Sequence, residues 1–104
     1  MRVKEGNLQD NGITLDTLEV FLDNTTLLVI DGYKGFAMCG ALDVSIYNSL
    51  KMKERKVVCF KATGVKTIEQ LYNAPIVECS EYAKQLGIYE GMTVKDGFKI
   101  LSTQ

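Results

Sequence analysis

The sequence predicts an α+β domain, an antiparallel β meander with helices packed on one face, forming a single pair of layers. Three observations predict it. Leu18, Val20 and Leu22 alternate with Glu19, Phe21 and Asp23, behind the turn signal Asn11-Gly12. Short apolar runs follow at Thr26 to Ile30 and Phe36 to Cys39, each flanked by turn residues. From Thr67 onward, helical patterns with capping residues take over.

In chain order, Val3 to Gln9 is a weak strand interrupted by Gly6, made credible by the Asn11-Gly12 hairpin that would pair it with the next segment. That segment runs from Ile13, and the alternation of Leu18, Val20 and Leu22 with Glu19, Phe21 and Asp23 predicts one well-buried face bearing the first three. Thr26-Leu27-Leu28-Val29-Ile30 reads as a buried strand. Asp31-Gly32-Tyr33-Lys34-Gly35 turns the chain, and Phe36-Ala37-Met38-Cys39 returns antiparallel, giving a meander of three or four strands.

Leu42, Ile46, Tyr47 and Leu50 fall at helical spacing, which predicts a helix starting at Gly40 or Ala41 with Asp43 in its first turn. A charged connection, Lys51 to Lys56, leads to a short central strand at Val57 to Phe60. Thr67-Ile68-Glu69-Gln70 has capping-box form and opens a short helix that Asn73-Ala74-Pro75 stops. Ile76-Val77 adds a small strand. Ser80 to Leu86 is a helix ended by Gly87, onto which Ile88 folds back. Thr93 caps a last helix whose Val94, Phe98 and Leu101 share one side, with Gly97 as its weak point.

Composition bounds the chemistry. A chain of 104 residues is of ordinary single-domain size, so residues 1–104 are read as one domain. Twelve basic and 13 acidic residues leave a net charge of -1, which gives no general attraction to nucleic acid or to an anionic membrane. Lys51, Lys53, Arg55 and Lys56 lack interleaved aromatics and read as a solvated loop. No apolar stretch is long enough for a membrane span, and the first residues lack a secretory pattern. Three scattered cysteines make a poor disulfide framework, so a cytoplasmic, reducing location is expected. With no histidine in the chain, a Ser-His-Asp or Cys-His catalyst cannot be built from one copy.

The run Gly35-Phe36-Ala37-Met38-Cys39-Gly40-Ala41-Leu42-Asp43-Val44 resembles the signature block of YunC-like proteins, a small prokaryotic family of domains of unknown function. Arg55-Lys56-Val57-Val58, Gly64 to Leu71 with Ala74-Pro75, and Leu86-Gly87-Ile88 with Gly91-Met92-Thr93 fit the same family in the same order. The resemblance implies a compact α+β fold. It implies no reaction, cofactor or site residue.

Two kinds of site are expected from the residues themselves. Cys39 follows a strand and precedes a predicted helix start, where the helix dipole and a cation from Lys34, Lys61 or Lys66 would favour a nucleophilic thiolate. Its bland alternative is a small packing residue, the reading given to Cys59 and Cys79 as well. Gly35 and Gly40, with Asp43 in the adjoining turn, would let an anionic ligand approach backbone amides. Lys66 and Thr67 offer a second such place, where Thr67 as an ordinary cap is the competing reading. The carboxylates Asp43, Glu69, Glu78, Glu81, Glu90 and Asp96 show no metal-ligand spacing, and no cofactor or metal is expected. The leading expectation is a non-catalytic module that binds a small anion or a protein and self-associates into a homo-oligomer. The alternatives are a cysteine-dependent thiol-transfer or hydrolytic enzyme using Cys39, and a structural assembly subunit.

Overall fold

The computed structural model describes residues 1–32, 34–49 and 55–104. Among these residues, six strands form one sheet in chain order: β1 (Arg2–Asp10), β2 (Ile13–Leu22), β3 (Thr25–Asp31), β4 (Phe36–Met38), β5 (Cys59–Lys61) and β6 (Glu78–Cys79). The first four are an antiparallel meander, as the turn signals require. Asn11 and Gly12, both at positive φ, make the tight turn between β1 and β2. β5 then joins β4 in parallel, and β6 closes the sheet antiparallel. No local sequence signal marks the crossover between β4 and β5, and the last strand lies two residues beyond the expected Ile76-Val77.

Three helices follow: α1 (Ile68–Asn73), α2 (Glu81–Gln85) and α3 (Val94–Ser102). Their starts are set locally. Thr67 Oγ1 accepts the Gln70 amide at 3.1 Å while Gln70 Oε1 accepts the Lys66 amide at 2.8 Å; Thr93 Oγ1 accepts the Asp96 amide at 3.1 Å. Ser80, buried, accepts the amides of Ala83 and Cys59 and donates to the Val57 carbonyl, so one hydroxyl ties α2 to β5. Gly87 ends α2 at φ +97°, and the Ile88 amide returns to the Ala83 carbonyl at 3.0 Å.

The main core lies between these helices and one face of the sheet. Leu15, Leu28, Ile30, Ala37 and Phe60 meet Leu71, Ala83, Val94, Phe98 and Leu101, with the Phe60 and Phe98 rings edge-to-face at 5.0 Å. Gly97 lets α3 ride over Phe60, whose ring atoms would lie 3.2 Å from an added Cβ. The expected burial of Leu18, Val20 and Leu22 needs correction. Strand alternation puts them on the face opposite Leu15, away from the helices; Leu18 and Val20 are partly exposed and Leu22 is 39% exposed. The positions that do bury β2 begin with Leu15, which pairs with Leu8.

The helix expected at Gly40 or Ala41 also differs. The chain leaves β4 through a turn closed by the Leu42 amide on the Cys39 carbonyl, and a 3₁₀ helix starts only at Val44–Asn48. Asp43 is its N-cap, accepting the Ser45 amide at 3.1 Å, rather than a first-turn residue. The tighter repeat places Val44 and Tyr47 on one side and leaves Ile46 52% exposed. Leu50 and the basic residues Lys51 and Lys53 lie outside the described residues, as does Tyr33.

Candidate functional site

The residues singled out from sequence do not converge. Gly35 and Gly40 sit at opposite ends of β4. Gly35 is needed for packing, since a Cβ there would stand 2.8 Å from the Val58 carbonyl oxygen and 2.9 Å from a Leu101 methyl. Gly40 faces solvent in the turn, with only Thr63 near it among the described residues, and no helix starts there to supply amides. Asp43 is spent as a cap, and so is Thr67. Lys66 is exposed and lines a shallow recess of about 330 Å³ with Val65, Asn24, Thr25 and Thr26.

Cys39 is 7% exposed, and its Sγ accepts the Leu28 amide at 3.5 Å on the helix-covered side of the sheet. Lys61 belongs to the other face: it pairs across strands with Met38 and holds Glu78 at 3.2 Å. Lys34 donates to the Gln104 carbonyl. Lys61 therefore stands across the sheet from the Cys39 sulfur. Cys59 lies wholly buried beneath the 3₁₀ helix, and burial pushes its thiol up to about 11 against the opposing hydrogen bond with Ser80. Burial also raises Cys79, whose Sγ donates to the Ile88 carbonyl. Thiols held protonated in this way are poor nucleophiles at neutral pH.

What the strand register does assemble is a surface that residue types alone did not announce. On the face away from the helices, Glu5, Leu18, Val29 and Met38 stand in one cross-strand row, and Asn7, Asp16, Asp31 and Phe36 in the next. The 3₁₀ helix covers the Phe36 and Cys59 end, where Leu42, Val44 and Tyr47 close a second small core and the Tyr47 ring meets Phe36 at 6.0 Å. Toward β1 the face is left open by the described residues. A concavity of about 710 Å³ is lined there by Glu5, Asn7, Asp16, Leu18, Val29, Asp31 and Phe36. Asp16 and Asp31 are direct cross-strand partners, a like-charge pairing that sheets avoid unless something offsets it. Such a rim repels an anion and favours a cation. The alternating Leu18 and Val20 were the available signal in the sequence; they marked an apolar face correctly but not which side the helices would take.

On the helix side, Asp10 accepts the Tyr72 hydroxyl at 2.9 Å and lies 3.5 Å from Lys95. The Tyr72 hydrogen bond, then Lys95, hold the Asp10 carboxyl below its usual range; burial, then Asp10, raises Tyr72 well above its own. This network ties the end of β1 to α1 and α3.

Comparison with known proteins fits this architecture. Residues 38–101 match the family described as Domain of unknown function (DUF1805). The chain belongs to that family. It is 39% identical over 85 residues to the uncharacterised protein YunC of Bacillus subtilis (strain 168), covering 82% of this chain and 83% of that one. It is also similar to the crystal structure of TA1206 from Thermoplasma acidophilum, a protein of unknown function, with TM-score 0.82 and 28% identity over 94% of this chain and 91% of the other. The DUF1805 match begins at Met38, so β1 to β3 lie before it, whereas the structural likeness takes in nearly the whole chain.

Proposed function

We propose that this DUF1805 domain is a non-catalytic, self-associating interaction module of the cytoplasm, and that it works through the side of β1 to β3 turned away from the helices. One observation carries the reading: β2 has the apolar alternation of a buried strand, yet its apolar side, with Leu18, Val20 and neighbouring Val29, faces away from the helices. Partly exposed apolar rows rimmed by polar residues mark interaction surfaces. The three buried thiols favour this reading over cysteine catalysis. The acidic rim favours a protein or cationic group over the small anion expected from the glycines.

Two measurements test it. Native-state alkylation should leave Cys39, Cys59 and Cys79 unmodified until the protein unfolds; rapid modification of Cys39 would restore the thiol-enzyme alternative. Sedimentation equilibrium over a wide dilution series should show reversible self-association. A monomer throughout, with no thermal stabilisation from a panel of amines and basic peptides, would defeat the module.

A further inference from the structure

The two edges of the sheet are finished differently. β6 has two residues and runs at once into the Ser80 cap of α2. Short edges of this kind cannot template another strand. β1 has nine residues, pairs with β2 without a bulge from Arg2 to Asp10, contains no proline, and is exposed from Arg2 to Asn7. No described strand pairs with its outer side. An edge this long and regular is normally blunted; among the described residues, its own charges are what oppose pairing.

Those charges are arranged to suit a second copy of the same strand. In an antiparallel pairing of β1 with itself about a two-fold axis, residues opposite each other share a face. Centring the axis on Lys4 or on Glu5 opposes each to its own copy, lysine to lysine or glutamate to glutamate. Centring it on Gly6 pairs all nine residues, sets Arg2 against Asp10 at both ends, Lys4 against Leu8 and Glu5 against Asn7, and leaves no side chain on the axis. Arg2 is held over the Phe21 ring at 4.6 Å, and Asp10 is fixed by Tyr72 and Lys95, so both partners of the new pair are positioned beforehand.

We propose that two copies join β1 edge to β1 edge, antiparallel and centred on Gly6, so that the two sheets become one and their uncovered faces become continuous. This rests on the interaction-module reading and names its first partner. The test attaches spin labels to Val3→Cys or to Asn7→Cys, two exposed strand positions, with the native thiols buried. At the rise of an extended strand, the register predicts backbone separations across the dimer of about 20 Å at residue 3 and under about 10 Å at residue 7. Arg2→Glu should weaken dimerisation several-fold, and an unchanged dimerisation constant would overturn the charge pairing. A dimer whose Val3 labels are as close as its Asn7 labels, or closer, overturns the edge register and leaves self-association standing. A monomer at all concentrations overturns both.

Discussion

The two faces of the sheet carry comparable apolar residues and meet different fates. Phe60 and Ile30 are fully buried under helices that arrive late in the chain, while Leu18 and Val29, on neighbouring strands, stay partly exposed on the other side. Strand periodicity determines that a face is apolar; which face becomes the core depends on where the later helices return. The residual apolar face is then the place where binding energy is still available.

The contrast can be broken most severely at Phe60. Phe60→Ala should cost about 3–5 kcal/mol in urea denaturation, through lost burial and the cavity left beside Phe98. Val3→Ala, on the exposed end of the open face, should stay within about 0.5 kcal/mol. Equal effects would mean that the open face is part of the core. Two glycines sharpen the comparison. Gly35→Ala drives a Cβ against the Val58 backbone carbonyl at 2.8 Å and should cost about 1–3 kcal/mol, whereas Gly40→Ala, meeting only the Thr63 methyl at 3.3 Å, should be close to neutral. A large cost at Gly40 would show that its turn is packed rather than open.

A smaller effect comes from Cys59 under the 3₁₀ helix. Its folded pKa is raised, so the protonated thiol's stabilising contribution is complete below the unfolded value near 9 and is lost as pH rises toward about 11. By pH 10 the loss should be about 1 kcal/mol, and Cys59→Val should remove that part of the alkaline slope. The rise at Tyr72 acts in the same direction at higher pH and would persist in the variant. An unaltered slope would mean that the second small core does not exclude water from Cys59.

Legibility in the sequence follows the range of the interaction. Thr67 with Gln70, Thr93 with Asp96, and Gly87 with Ile88 act within one or two turns, and their helices start or stop where those residues dictate. The Asn11-Gly12 hairpin is equally local. The parallel crossover from β4 to β5 depends on contacts more than twenty residues apart and had no local marker. Leu42, Ile46 and Tyr47 have helical spacing, but Asp43 satisfies the Ser45 amide and starts a tighter helix that turns Ile46 outward. The candidate surface was legible only in part. Leu18 and Val20 announced an apolar face, while the Asp16 and Asp31 pairing exists only once the register is known. Cys39 shows the converse, a reactive residue type whose place just past β4 sends its sulfur inward, as its packing alternative expects.

The most direct test of the account is amide hydrogen exchange along β1 at low and high protein concentration. In an edge strand, alternate amides point away from the sheet and lack a partner. The account predicts that the outward amides between Arg2 and Asp10 slow as concentration rises, while those of β5 do not change. Outward amides that exchange equally fast at both concentrations would contradict it.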